Sequence, residues 1–199
     1  YKVDGNRTNV SVPFERFGSV FVVFREPTTT SSQTVSQVAL KPIATLNGSW
    51  QVAFQADRGA PASATFEGLM DFRNHPDAGI KYFSGIATYS KEVQLPAQQA
   101  GSHLWLDLGE VNTLAEVWVN GKLAGTAWKP PYRVDISNAA VAGTNRIEIK
   151  AVSLWVNRLI GDAQPGVTNK FTVTTRQFYR ADSPLKSSGL LGPVQIFGM

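Results

Sequence analysis

The sequence contains no cysteine, which excludes a disulfide scaffold, a thiol nucleophile and a zinc site with cysteine ligands. Charged residues are scarce, at 17% of the 199 residues, against about 25% in an average globular domain. No apolar run approaches the roughly 20 residues needed to span a bilayer, and no heptad repeat indicates a coiled coil. We therefore expect a folded globular chain without a membrane partner.

A clustered basic surface is also absent. The chain carries 19 Lys and Arg against 15 Asp and Glu, for a formal charge of +4. No two basic residues are adjacent, and none lies between Lys91 and Lys122. Because a phosphate-binding surface needs a stripe of basic groups, we expect no nucleic-acid partner.

The first 27 residues have the pattern of strands without a core of their own. Apolar and polar residues alternate over 8–15, and 19–25 is a continuous β-branched and aromatic run typical of a strand buried on both faces. The chain lacks a signal peptide and starts at Tyr1. We interpret residues 1–27 as the terminal strands of a preceding β domain, in a chain that is part of a longer or processed protein. Residues 28–37 are polar and of low complexity, which indicates a linker.

Short strands alternate with turns over residues 38–199. Period-two alternation marks 49–55, 81–95, 104–108, 116–119, 146–150 and 195–197, and Asn120-Gly121 is the strongest hairpin signal. Prolines punctuate the predicted loops, and no convincing helical period exceeds about 10 residues. This pattern predicts an all-β domain, an antiparallel β-sandwich of the jelly-roll type.

The residue types of nucleophilic and acid–base catalysis are sparse. The only histidines, His75 and His103, lie in separate segments and have no ligand spacing. Asp107 is expected to be a solvated strand position, and Asp135 is expected to face outward or to pair with Arg133. No carboxylate pair of the glycosidase type is identifiable.

The aromatic residues carry more information, since sugars stack on exposed rings flanked by hydrogen-bonding groups. The segment Trp128–Arg133 has this composition, and it contributes Trp128, Lys129, Tyr132 and Arg133 as candidate sugar-binding or cleft-rim residues. Trp128 and Trp155 have an alternative role as plugs of the sandwich. Trp50 is predicted to lie in the core.

The segment 155–162 supplies the remaining candidates: Trp155, Asn157, Arg158 and Asp162. They form a polar cluster that is expected at the end of an apolar strand, in a loop. Two readings stay open: Arg158 and Asp162 are a structural ion pair, or the cluster contacts a sugar.

Several segments, in order, resemble a known family. They are Lys81–Tyr89, Leu106–Val111, Ala115–Gly121 and Trp128–Ile136, and they resemble the galactose-binding-like jelly roll called the sugar-binding domain in glycoside hydrolase family 2. The segments Leu154–Asp162 and Ser188–Val194 are similar to the C-terminal region of the family 106 α-L-rhamnosidases. Residues 19–24 resemble the end of the β domain before it.

The resemblance implies a non-catalytic accessory domain of a large glycosidase that is secreted or periplasmic in a bacterium. Its partner would be the (β/α)8 catalytic barrel of the same parent chain, and the glycans would be of plant or microbial origin. The resemblance places the catalytic residues and a calcium ion in that barrel, so it assigns no catalytic residue and no cofactor to this chain. Whether the chain has a metal site of its own is left open.

Two other functions remain alternatives. One is an autonomous carbohydrate-binding module with its own sugar affinity, and the other is a structural β domain without a ligand. The sequence does not choose between them.

Overall fold

The structure is a computed structural model that describes residues 1–35, 39–97 and 103–199. Its strands are β1 (Lys2–Asp4), β2 (Arg7–Asn9), β3 (Lys41–Thr45), β4 (Trp50–Phe54), β5 (Ser63–Phe66), β6 (Ile86–Leu95), β7 (Leu104–Asp107), β8 (Glu110–Val111), β9 (Leu114–Val119), β10 (Lys122–Ala127), β11 (Arg133–Asp135), β12 (Gly143–Val152), β13 (Leu190–Gly192) and β14 (Gln195–Gly198). The helices are α1 (Ala78–Lys81) and α2 (Val156–Asp162), and a 3-10 turn covers Phe72–Asn74.

Two antiparallel sheets form the body of the molecule. The larger has six strands in the order β10-β9-β12-β6-β4-β5, and the smaller has four in the order β11-β7-β14-β3. The short strands β8 and β13 pair with each other, as do β1 and β2. The predicted antiparallel β-sandwich is confirmed.

The core lies between the two sheets, because alternate residues on each strand point inward. Val52 and Ile149 of the larger sheet belong to the same buried cluster as Leu106 and Ile196 of the smaller one. Trp50 is 1% exposed, as predicted for a core residue. Each such fully buried side chain stabilises the fold by about 1.5–3 kcal/mol.

The Asn120-Gly121 turn joins β9 to β10, as predicted. Both residues have positive φ, 53° and 78°, which is the backbone conformation of a type I′ hairpin. The Asn120 side-chain amide also donates to Asn145 Oδ1 at 2.9 Å. This bond ties the hairpin to the beginning of β12.

Strand β12 organises the larger sheet and positions the segment that follows it. It pairs with β6 over its whole length, and with β9 from Ile147 to Val152. Helix α2 begins four residues after β12 ends. The sheet therefore fixes the start of the segment that contains half of the candidate residues.

The N-terminal segment differs from its prediction. Residues 10–31 form no strand, and β2 covers only part of the predicted strand at 8–15. Phe21 is 91% exposed and Phe24 is 71% exposed, so the prediction of a doubly buried strand at 19–25 is wrong for this chain by itself. The physical reason is that neither sheet offers this segment a partner strand.

The predicted linker at 28–37 packs partly on the N-terminal hairpin. Val3 N donates to Ser31 O at 2.7 Å, and Ser32 forms an isolated bridge with Lys2. The last predicted linker residues, 36 and 37, and residue 38, where the jelly roll is predicted to start, lie outside the described residues. The division into 1–27, 28–37 and 38–199 stays a prediction.

Within the described ranges, no helix has the length and apolar character required to cross a membrane.

Candidate functional site

Three of the four candidates in the first group line a cleft of about 730 Å³. Trp128, Lys129 and Arg133 line it together with Glu15 and Trp105. We call this the Trp128 cleft. Trp128 is 63% exposed, so the alternative that it plugs the sandwich is wrong. Its position after the end of the edge strand β10 leaves the indole outside the core.

Charged partners already engage the cationic groups of the Trp128 cleft. Lys129 Nζ lies 2.7 Å from Glu15 Oε2, which ties the cleft to the N-terminal segment. Arg133 Nε lies 2.6 Å from Asp107 Oδ2, so Asp107 is paired and is not simply solvated. The indole N–H of Trp105 is buried and has no hydrogen-bond partner among the described residues.

The remaining predictions for this region have mixed outcomes. Tyr132 is partly buried against the core. Asp135 does not pair with Arg133: it accepts hydrogen bonds from Ser137 and lies 3.5 Å from His103 Nδ1. Burial raises the pKa of Asp135, but the bonds from Ser137 and His103 outweigh it and hold that pKa below its ordinary value.

The second group of candidates lies on a helix, where the sequence predicted a loop. The side chain of Trp155, the residue just before helix α2, makes no capping hydrogen bond to the helix. Instead Arg158 N donates to Ser84 Oγ at 3.1 Å, and Ser84 Oγ donates to Leu154 O at 2.7 Å. A serine that is distant in sequence thus accepts a hydrogen bond from one of the free N–H groups of the first turn. The residues next to the helix therefore contain no capping signal from which the helix could be predicted.

Arg158 and Asp162 form a buried ion pair one helical turn apart. Arg158 Nε lies 3.0 Å from Asp162 Oδ1, and both side chains are about 5% exposed. A Cβ at Gly59 or Gly161 would collide with the Arg158 guanidinium, so these two glycines make room for it. The reading as a structural ion pair is confirmed in its geometry.

The other oxygen of Asp162 holds the long irregular segment that follows α2. Asp162 Oδ2 accepts from Phe171 N at 3.0 Å, Thr172 N at 2.8 Å and Thr172 Oγ1 at 2.7 Å. The guanidinium of Arg158 lies 5.1 Å from the centre of the Phe171 ring. Sequence reasoning missed Phe171 and Thr172, because nothing in their local pattern signals a contact with α2.

The side chains of Asn157 and Trp155 differ in their exposure to solvent. Asn157 is buried, and its side chain donates to Lys186 O at 2.7 Å and accepts from Lys186 N at 2.8 Å. Trp155 is 45% exposed, with the Arg58 guanidinium 4.8 Å from its ring centre, so it does not plug the sandwich either. Their roles towards a sugar stay predictions.

Members of the two groups line different cavities, and in the second group these members are Asp162 and Trp155. Asp162 and Leu159 line a pocket of about 440 Å³ with residues of the irregular segment, including Lys170 and Phe178. We call this the α2 pocket. A neighbouring depression is lined by Trp155, Leu159 and Phe171. The structure thus offers two surfaces, the Trp128 cleft and the α2 pocket.

A second buried carboxylate holds the other end of the irregular segment. Asp71 accepts from Arg73 Nε at 2.9 Å and from the Ser187 hydroxyl and the Ser188 backbone. Burial raises the pKa of Asp71, but these hydrogen bonds outweigh it and hold the pKa below its ordinary value. The segment between α2 and β13 is therefore fixed near both ends by aspartates.

The described residues contain no group of three or more His, Asp or Glu side chains that could hold a metal ion. Asp71, Asp107 and Asp162 are each occupied by partners in the chain.

Comparison with known proteins places this geometry in context. A candidate beta-glucuronidase of Formosa agariphila is 36% identical over 176 residues, which cover 76% of this chain and 15% of that protein. The structure of a rhamnosidase from Novosphingobium sp. PP1Y has a TM-score of 0.84 and 49% identity, covering 88% of this chain and 17% of that one. A beta-glucuronidase from Ruminococcus gnavus shares the fold, with a TM-score of 0.59 at 19% identity over 83% of this chain and 30% of that one.

This chain is therefore much shorter than the proteins that it resembles, spanning less than a third of each of these three. The family described as glycosyl hydrolase 2 galactose-binding domain-like matches residues 80–183. That range includes β6 to β12, helix α2 and all the residues that line the α2 pocket. The chain belongs to this family of galactose-binding-like domains, which are accessory domains of glycoside hydrolases.

Proposed function

We propose that this chain is the accessory domain of an α-L-rhamnosidase-like glycoside hydrolase, where it packs on the catalytic barrel and shapes the substrate cleft. The observation that carries the proposal is the similarity to the Novosphingobium rhamnosidase, at 49% identity over 88% of this chain. That chain is several times longer, so a parent of similar length would have a separate catalytic domain.

An exposed apolar surface supports docking on the rest of a parent chain. Phe14, Phe17, Phe21 and Phe24 are each at least 69% exposed. Phe14 and Phe17 line a depression of about 510 Å³ together with Trp128, so this surface is continuous with the Trp128 cleft. Apolar patches of this kind mark interaction sites on soluble proteins.

The composition of residues 19–25 indicates how this surface is covered. The segment has the β-branched and aromatic residues of a strand but no partner strand within residues 1–35, 39–97 and 103–199. In the proposed parent it adds to the edge of a sheet in a preceding β domain, which satisfies its backbone and buries its side chains. Residues 28–37 then connect the two domains.

The setting of the parent enzyme is part of the proposal. We expect it to be periplasmic or extracellular in a bacterium and to act on plant or microbial glycans. The absence of cysteine is compatible with an oxidising compartment. Catalysis, and the calcium ion, belong to the barrel.

One observation favours the alternative of an autonomous carbohydrate-binding module. Trp128 presents an exposed ring in a cleft that is also lined by the polar side chains of Lys129 and Arg133. Aromatic rings flanked by polar groups are suited to sugar rings. This alternative predicts that the chain binds free sugar and that Trp128→Ala abolishes the binding.

The test of the main proposal is a single substitution, Phe21→Asp, made both in the 199-residue chain and in its full-length parent. The Phe21 side chain is 91% exposed here, so the thermal midpoint of the isolated chain is expected to stay unchanged. In the parent the same change places a charge in the docking surface, so we expect a lower midpoint and slower hydrolysis of an aryl α-L-rhamnoside.

A matched control is Leu123→Asp, which changes an exposed apolar residue of the edge strand β10. We expect it to leave both the chain and the parent unaffected. Unchanged stability and activity of the Phe21→Asp parent would overturn the docking proposal and leave the autonomous module as the better account.

A further inference from the structure

The α2 pocket has the size and the lining of a binding site. Its volume of about 440 Å³ lies within the range of small-molecule sites. Leu159 and Phe178 give it apolar surface, and Phe178 is 72% exposed. Thr174, Gln177 and Tyr179 add hydroxyl and amide groups. An apolar surface beside hydrogen-bonding groups matches the two faces of a sugar ring.

The rim of this pocket is fixed by buried groups, although the segment that forms it has no regular secondary structure. Asp162 receives three hydrogen bonds from Phe171 and Thr172, and Arg158 packs on the Phe171 ring. Asp162 is the last residue of α2, where a negative charge is unfavourable to the helix dipole. The position of Asp162 is thus explained by the hydrogen bonds with which it holds the irregular segment. A pocket whose rim is already ordered before the ligand binds loses less conformational entropy on binding.

The polar groups that line the pocket are free to bind a ligand. In the described part of the chain no hydrogen bond or ion pair engages the side chains of Lys170, Thr174, Gln177 or Tyr179. Asp162, in contrast, is fully engaged by Arg158 and the loop amides. The groups available to a ligand are therefore one ammonium, one amide and two hydroxyls.

The free charge in the α2 pocket is positive. The pair of Arg158 and Asp162 is neutral as a whole, and Lys170 is the remaining charged residue that lines the pocket. An ammonium group binds a carboxylate more strongly than a neutral hydroxyl. A sugar with a carboxylate therefore fits this lining better than a neutral sugar of the same shape.

We propose that the α2 pocket binds a uronic-acid residue of an acidic glycan, with the Lys170 ammonium paired to the carboxylate and the sugar ring packed on Phe178. The inference rests on the proposed function in placing this chain in a glycosidase. Binding itself is a property of this chain and is measured on it.

The experiment titrates the ¹⁵N-labelled 199-residue chain with glucuronate and, separately, with glucose, which has a hydroxymethyl group in place of the C6 carboxylate. We expect glucuronate to shift the amide signals of residues 170–179 and to bind about tenfold more tightly than glucose. The Lys170→Gln variant is expected to lose this preference, and Phe178→Ala to weaken the binding of both sugars.

The matched control is Lys41→Gln, which removes the same charge from an exposed position in β3. It should leave the preference for glucuronate unchanged. Equal binding of the two sugars, equal effects of the two lysine variants, or signal shifts confined to the Trp128 cleft would each overturn the inference. The absence of binding at tens of millimolar sugar would overturn it as well.

This result is independent of the docking test. If the chain binds no uronate while Phe21→Asp impairs the parent, the inference fails and the proposed function remains. If the chain binds uronate while Phe21→Asp has no effect on the parent, the docking proposal fails and the pocket remains.

Discussion

Two aspartates determine the conformation of the segment that forms the α2 pocket. Asp162 holds its start through Phe171 and Thr172, and Asp71 holds its end through Ser187 and Ser188. Both carboxylates are buried, and a buried charge is stable only when it is paired and hydrogen-bonded. The pocket therefore depends on charges that do not themselves need to contact a ligand.

Asp71 gives the chain a pH-dependent element of stability. Its pKa in the folded state lies below the ordinary value of 3.8, so the charged carboxylate stabilises the fold at every pH above that value. This stabilisation is lost as the pH falls through the folded-state pKa. We expect Asp71→Asn to lower the free energy of unfolding by about 1–3 kcal/mol at pH 7, and the difference from the wild type to shrink at pH 3.

Urea denaturation at the two pH values measures this difference. Asp182→Asn is the control, since Asp182 is exposed and its carboxylate has no hydrogen bond in the described ranges. An equal loss of stability at pH 7 and pH 3 for Asp71→Asn would show that packing, and not charge, explains the effect.

At the level of secondary structure, the β9–β10 hairpin depends on one glycine. Gly121 has φ 78°, and a Cβ placed there would meet no atom within 4 Å. The expected cost of Gly121→Ala is therefore backbone strain alone, about 1–2 kcal/mol in the free energy of unfolding. Gly68→Ala is the matched control, because a Cβ there also meets no atom within 4 Å and its φ is not positive.

Thermal denaturation of the two alanine variants measures the difference. A lower midpoint for Gly121→Ala than for Gly68→Ala is the expected result. Equal midpoints would mean that the hairpin adopts another turn without loss of stability.

The central strands of the two sheets were predictable from the sequence, whereas short strands such as β3, β5 and β13, helix α2 and its pocket were not. Trp50, Val52 and Phe54 are buried at every second position of β4, and this period of two follows directly from burial on one face of a strand. Helix α2 has seven residues and is capped by Ser84 from a distant part of the chain. A helix stabilised by tertiary contacts leaves no signal in its own sequence.

The absence of a local sequence signal for tertiary contacts also explains which contacts of the candidate residues could be predicted. The sequence left the pairing of Arg158 with Asp162 as one of two open interpretations. Their spacing of four residues explains the pair only once the segment is known to be a helix. The contact of Asp162 with Phe171 and Thr172 follows only from the fold. Trp128 could be identified from the sequence as an aromatic candidate. Its exposure to solvent could not be predicted, because composition does not show whether a side chain that follows the end of a strand points towards the core or towards solvent.

For the molecule as a whole, the position of the buried core indicates which residues form the independently folding domain. None of residues 1–35 is buried, and the core begins at Leu46. The side-chain contact between Glu15 and Lys129 is exposed, and exposed pairs contribute about 0–1 kcal/mol. Residues 39–199 should therefore fold without the segment before them.

Deletion of residues 1–35 tests this expectation. We expect the thermal midpoint to change by less than about 4 °C, the shift that about 1 kcal/mol produces in a domain of this size. A deletion that extends to residue 46 also removes β3 and the buried Leu46, so it should fail to fold. A large loss of stability in the shorter deletion would move the predicted domain boundary towards the N-terminus.

The position of β14 has a consequence for synthesis. β14 lies between β7 and β3 in the smaller sheet, and its Gly198 pairs with Lys41. The partners are separated by most of the chain, and contacts between residues so distant in sequence slow folding. While the ribosome is still adding residues 195–198, β3 has no neighbour and its backbone is open to other chains. In the interval between the synthesis of β3 and its pairing with β14, β3 is therefore a candidate site for chaperone binding on the nascent chain.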